Sequence, residues 1–228
     1  VVISACRRSG SQLSLLESCI VRLNGIVLIT EAAAIDEPGP RIVYVNDAFI
    51  QLTGYTREEV IGRSPRLLQG PLTSRATLDE IRAALTASRP VRVELVNYNR
   101  SGQPYWVEID IVPVLGKDGR RTHFAAVERD ISERKQAQDA LAKYAAEVYD
   151  LYHFAPTGYH SLDKDGTIVR INNTELIWLG YAEHEVVGKL KFTDIIAPSS
   201  LETARKHFPI FMEQGHLSDL ELEFVRKD

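Results

Sequence analysis

The residues best placed by type and spacing to do chemistry are Asn97, Asn99 and Glu128. Residues 91–99 (VRVELVNYN), 105–113 (YWVEIDIVP) and 122–130 (THFAAVERD) alternate with the two-residue period of a half-buried strand. If Val93, Leu95, Ile109 and Ile111 face a core, alternation puts Asn97, Asn99 and Val107 on the same inner face. The third run groups Phe124, Ala126 and Glu128, which turns a carboxylate inward. An inward amide left unpaired costs about 1–3 kcal/mol, and an inward carboxylate is costly unless it is hydrogen-bonded or protonated. A bound molecule with an amide-like edge would satisfy these groups. Two local alternatives stand beside that reading. Asn97 can bond to neighbouring backbone at a strand end, and Glu128 can turn outward to Arg129 or Arg134.

Other chemistries have no foothold. The sequence contains no nucleophile elbow, phosphate-binding loop, metal cluster or convincing acid–base pair, so these residues are expected to be non-catalytic. Cys6 and Cys19 are too few for a disulfide framework and lack the spaced partners of a zinc site, which fits a reducing cytoplasm. Net charge is −4, from 27 Lys and Arg against 31 Asp and Glu. The basic residues are dispersed, unlike the footprint of a nucleic-acid binder. The longest apolar stretches, such as residues 25–30 ending at Thr30, fall far short of the roughly 20 residues of a membrane span. Residues 1–8 lack the layout of a signal peptide.

The elements that must position these side chains occur twice. VNDAFIQLTGYTREEVIGR (residues 45–63) is echoed by INNTELIWLGYAEHEVVGK (171–189), with Asn46, Gly54, Glu59 and Gly62 each matched 126 residues on. One period of that length means two copies of a small domain. In the first copy Asn46 or Asp47 caps a short helix that Gly54 ends. Thr56 and Glu59 form a capping box for a second helix, which ends at Gly62. Residues 74–88 read as an amphipathic helix, and the three strands above follow with hairpin turns between them. The fold class is therefore α+β: two domains in tandem, each an antiparallel sheet with short helices on one face. Between them, residues 131–152 carry no Gly or Pro and place Leu141, Tyr144, Val148 and Leu151 along one helical seam. The division is residues 1–23, an N-terminal amphipathic helix centred on 11–23; 24–131, the first domain; 132–152, a linking helix; and 153–228, the second domain.

NDAFIQLTGYTREEVIG, followed by the three strands and the closing VERDISERK, resembles a PAS domain joined to a signalling helix. The second copy resembles another. GRSPRLLQGPLTSRATLDEIR, ELVNYNRSGQPYW and AAVERDIS further resemble the flavin-binding light-oxygen-voltage branch. Where that branch carries the cysteine of its light-driven adduct this sequence has Pro65, and Ser64 replaces the preceding asparagine. The resemblance implies that Arg66 and Arg82 meet the flavin phosphate, Gln69 the ribityl chain and Asn97 the polar edge of the ring. Val107 stands for the second ring-edge asparagine and Glu128 for the glutamine facing N5 and O4, with Thr30 and Asn99 completing the candidate set. Arg66 and Arg82 could instead be simply solvated.

With the photochemical positions altered and the phosphate positions kept, the likeness is to FAD-containing redox sensors of the NifL type. It implies FAD in preference to FMN, helped by the long loop of residues 32–40. The implied function is the sensory input region of a two-component histidine kinase, a homodimer through its flanking helices, reporting redox state or oxygen to an output domain in the same chain. A cofactor-free dimerisation and relay module, or the input region of a cyclic-di-GMP enzyme, is the alternative. Trp106, on the sheet's outer face with Val112, is expected beneath a flanking helix. In the second copy Phe224 falls where Asn97 stood, His207 is a weak candidate haem ligand on a helix over residues 201–214, and the last two strands are absent, as expected of a fragment.

Overall fold

The computed structural model describes residues 25–32, 35–36, 38–215 and 218–227. The expected helix over residues 11–23 lies outside the described residues. Two compact units divide the chain, Val1–Gln138 and Asp139–Asp228.

In the first unit five strands form one antiparallel sheet: β1 (Ile26–Glu31), β2 (Ile42–Val45), β3 (Val91–Tyr98), β4 (Pro104–Leu115) and β5 (Arg121–Asp130), in the order β2-β1-β5-β4-β3. Chain order puts β1 beside β5, so the N-terminal hairpin and the C-terminal meander close into one sheet. Between β2 and β3 run α1 (Asp47–Thr53), α2 (Arg57–Val60), a 3-10 turn at Pro65–Leu68 and α3 (Arg75–Thr86). Their apolar side chains, Phe49, Val60, Leu68 and Ala84, pack on the inner face of the sheet with Leu28, Val93, Leu95, Val107 and Ile109.

Local chemistry explains these elements. Asn46 is buried, and its Oδ1 accepts from Phe49 N at 3.2 Å, which caps α1. The same oxygen accepts from Val27 N at 3.0 Å while Nδ2 donates to Gly25 O at 2.9 Å, so one side chain fastens helix to sheet. Gly54 ends α1 in the left-handed region at φ 72°. Thr56 and Glu59 complete the expected capping box of α2. That helix stops at Val60, two residues before Gly62, which takes φ 79° and donates to Ile42 O.

Past β5 the chain enters α4 (Ser132–His153). Asp130 Oδ1 accepts from Ser132 N at 2.8 Å, and Ser132 Oγ accepts from Trp106 N at 3.0 Å. Lys135 lies 4.8 Å from the centroid of the Trp106 ring. Both Arg134 and Lys135 reach Glu94 at 2.7 Å. Trp106 thus sits on the outer face against the start of the linking helix, as alternation implies. Leu141, Tyr144, Val148 and Leu151 are all exposed.

The second unit contains β6 (His160–Leu162), β7 (Ile168–Ile171), α5 (Asn173–Leu179), α6 (Glu183–Val186), two 3-10 turns and α7 (Leu201–Gln214). Its described sheet is the β6-β7 hairpin. Phe224, expected at a strand position equivalent to Asn97, makes an isolated bridge with Ile196 and an edge contact with Phe192 at 5.9 Å. On α7, His207 Nδ1 is 2.8 Å from Thr203 O of its own helix.

Removing the Asn46 side chain leaves two backbone N–H groups and one carbonyl without partners. Asn46→Ala is therefore expected to destabilise the first unit by about 2–3 kcal/mol, while Asn46→Asp, which keeps the acceptors, loses less. Urea unfolding of the chain checks both.

Candidate functional site

A cavity of about 650 Å³ lies between the inner face of the sheet and the layer formed by the 3-10 turn and α3. That is within the range of about 300–1,000 Å³ usual for small-molecule and cofactor sites. Leu28, Leu95, Ile109, Ile111, Phe124 and Ala126 form its sheet wall, and Leu68, Leu78, Ile81 and Leu85 face them from the helical layer. Three polar side chains interrupt the sheet wall: Thr30, Asn97 and Glu128, each at least 95% buried.

Register explains how they meet. On the inner face Thr30 pairs with Phe124, Leu28 with Ala126, and Glu128 lies between Ile26 on β1 and Ile109 on β4. Asn97 is at the far end of β3, opposite Tyr105. The Asn97 amide makes no hydrogen bond to the backbone among the described residues, so the local-backbone alternative is not the one adopted; its side-chain neighbour is the Tyr105 hydroxyl. Glu128 Oε2 is likewise buried without a partner. Glu128 does not turn outward either: Arg129 approaches Glu108 at 3.6 Å and Arg134 bonds to Glu94. With apolar neighbours on both sides and no cation, burial alone pushes the Glu128 carboxyl up to a pKa of about 7.

The remaining candidates divide. Arg66, Gln69 and Arg82 line the cavity, together with Ser64, Pro65 and Arg75. Arg66 Nη2 donates to Ile35 O at 3.1 Å, and Arg82 pairs with Asp36, so neither is simply solvated. Two candidates do not line the cavity. Asn99 is spent on the β3-β4 turn: its Oδ1 accepts from Ser101 Oγ at 2.7 Å and Gln103 N at 2.9 Å, because strand pairing ends at Tyr98 and Pro104. Val107 does face inward, but it is fully buried in the packed core, paired with Leu95, and the cavity begins beyond it. Pro65, on the cavity wall, offers no nucleophile.

Tyr105 is the polar residue that strand reasoning passed over. It is buried on the inner face and its hydroxyl lacks a hydrogen-bond partner among the described residues. The alternation that places Val107 and Ile109 inward places Tyr105 there too, so the signal was present. An aromatic ring on an inner face reads as core filling, which hides its hydroxyl.

A carboxyl that ionises near pH 7 when folded and at its ordinary 4.5 when unfolded binds more protons in the native state between those values. Stability then falls as pH rises through that window and levels off above it, by up to about 3 kcal/mol. Glu128→Gln is expected to remove this component. The difference in unfolding free energy between wild type and variant, measured from pH 4.5 to 8, checks it; parallel profiles reject an unpartnered inward carboxyl.

The model of the PAS domain family matches residues 25–133 and 156–228. Protein TWIN LOV 1 of Arabidopsis thaliana is 45% identical over 104 residues, covering 45% of this chain and 26% of that protein. A blue-light-activated histidine kinase of Rhizobium johnstonii is 35% identical over 149 residues, 65% of this chain and 41% of that protein. A solved structure described as "Flavin Analogue Sheds Light on Light-Oxygen-Voltage Domain Mechanism" is 28% identical with a TM-score of 0.49, covering 59% of this chain and 96% of that one. The chain thus spans well under half the length of either curated relative, 26% and 41%. Each of the two matched stretches contains one copy of the internal repeat, and through both of them the chain belongs to the PAS domain family.

Proposed function

We propose that the first PAS domain binds a flavin in the cavity between sheet and α3, and that the chain is the sensory input region of a signalling protein with a histidine kinase output. The observation that carries this reading is the cavity wall itself. Glu128 Oε2 is buried without a partner among the described residues, and the buried amide of Asn97, unbonded to backbone there, lines the same largely apolar slot of cofactor size. A planar heterocycle with imide and ring-nitrogen edges satisfies both, and Arg66, Gln69, Arg75 and Arg82 stand where a phosphorylated tail would lie. The sequence resemblance and the light-activated kinases among the relatives support the same ligand class.

A bound flavin supplies reversible redox chemistry. The protein's part is to bind, orient and exchange a proton. Asn97 fixes the polar edge of the ring. Glu128, with its pKa near 7, holds or yields a proton at Oε2 at little cost near neutral pH. Two residues on, Asp130 caps the start of α4, whose first turn is tied to β3 and β4 through Glu94 and Trp106. A change at Glu128 thereby has a short route along β5 into the linking helix, which carries the exposed seam for a homodimer. With Pro65 in place of a thiol, the signal we assign is redox state or oxygen. In this it resembles NifL-type sensors and, among kinases, MmoS. FAD is favoured over FMN by that likeness and by the loop that brings Ile35 and Asp36 to the cavity.

Extraction of the chromophore from native protein, with absorbance and mass, tests the reading; FAD is the expected result. FMN would correct only the choice of flavin, and a colourless protein from a flavin-replete host would end the proposal in favour of a relay module. Asn97→Ala is expected to weaken flavin binding about tenfold or more. Glu128→Gln is expected to shift the midpoint potential by about 30 mV or more, a tenfold change in relative affinity for the two redox states. An unmoved potential removes Glu128 from the mechanism.

A further inference from the structure

Tyr105 is 8% exposed, and its hydroxyl is one of the buried side-chain oxygens without a hydrogen bond among the described residues. It does not line the cavity, so no ligand there would meet it directly. It does stand directly across the β3-β4 ladder from Asn97, on the same inner face. Side chains so paired have Cβ atoms about 4.5–5.5 Å apart and are in contact. Burial and the Glu128 carboxylate raise the pKa of the phenol, and the Asn97 amide draws it back down, as an N–H donor facing the oxygen does.

An asparagine amide turns easily about its last torsion and presents either oxygen or nitrogen to a cavity. Nothing else in the described protein holds that of Asn97. We propose that Tyr105 is a positioning residue: its hydroxyl oxygen accepts from Asn97 Nδ2, leaving Oδ1 turned into the cavity as an acceptor for an imide-type N–H of the ligand. This deepens the flavin reading and rests on it. The same contact accounts for a polar side chain where a phenylalanine would pack better. The cost of an unpaired buried hydroxyl is borne by the free protein and recovered when the ligand fixes Asn97.

The variant Tyr105→Phe removes the hydroxyl and keeps the ring. In the full chain it is expected to leave the flavin-free protein as stable as wild type or more so, and to raise the dissociation constant for FAD and FMN about 5–10-fold, read by flavin fluorescence quenching. In an Asn97→Ala background the same substitution is expected to change affinity less than twofold, because the group it acts through is gone. Should Asn97→Ala bind too weakly to titrate, Asn97→Asp, which lacks the N–H donor, serves as the background with the same expectation. Affinity of Tyr105→Phe within twofold of wild type, or an equal loss in both backgrounds, overturns the positioning role. A wild-type chain that binds neither flavin overturns the reading of the cavity, and this proposal with it.

Discussion

A carboxylate buried between two isoleucines, with no cation beside it and Oε2 without a hydrogen bond among the described residues, is the constraint on which the first domain turns. Glu128 lies between Ile26 and Ile109 on a sheet face that is mostly apolar. Ionising it there costs several kcal/mol that an alanine or valine at that position would not. The Tyr105 hydroxyl adds a second unmet group on the same face, and Asn97 a buried amide with no backbone partner among the described residues. A domain stabilised mainly by the burial of residues such as Phe49, Ile42 and Val45 has little reason to carry three such groups for packing. They make sense as the wall of a site whose partners come from outside the chain.

The rest of the fold holds that wall rigid and connects it outward. The sheet order places β5 between β1 and β4, so Glu128 is flanked by strands on both sides and cannot relax by bending away. Asn46 ties α1 to the start of β1. At this same end of the sheet the backbone of β5 runs straight into α4 through Ile131, whose N–H bonds to Trp106 O at 3.0 Å. The first turn of α4 rests on the outer face of the same strands whose inner face lines the cavity. A shift of β4 or β5 by a fraction of an ångström is felt on both faces, because packed strands move as units.

Much of this was legible because strands have a period of two. Alternation put Asn97 and Glu128 on the inner face, with the local alternatives left open, and Trp106 on the outer one; it located the three-strand meander, and helical periodicity located α3, to within two residues. Period, however, gives the face and not the depth. Val107 and Asn97 share a face, yet one is sealed in the core and the other lines the cavity, because where the helical layer lifts off the sheet depends on Leu68, Leu78 and Ile81 filling some positions and not others. Asn99 lies off the cavity for a different reason. Alternation stops where pairing stops, and one residue past Tyr98 the side chain belongs to turn chemistry. The partners of Arg66 and Arg82 lie some 30 and 46 residues away in the β1-β2 loop, separations that no local pattern encodes.

The two copies of the repeat separate scaffold from site. Asn172 repeats the three bonds of Asn46 and adds a fourth: its Oδ1 accepts from Tyr159 N and Glu175 N, and its Nδ2 donates to Thr157 O and also to Tyr152 O. Gly188 donates to Ile168 O as Gly62 does to Ile42 O. By that correspondence Phe49 becomes Glu175 and Leu28 becomes His160, and the two meet at 2.8 Å. An apolar pair at the centre of one copy is thus an ionisable pair at the centre of the other, with Glu175 Oε2 left without a partner. Exchanging the one for the other brings little stability, since desolvating a charge pair offsets most of its attraction. What recurs at the 126-residue offset is therefore the hydrogen-bonded frame that makes the fold, and what differs is the side-chain filling that decides what the fold can hold. A ligand argued for the first copy from Asn97 and Glu128 carries no implication for the second, whose interior is chemically its own.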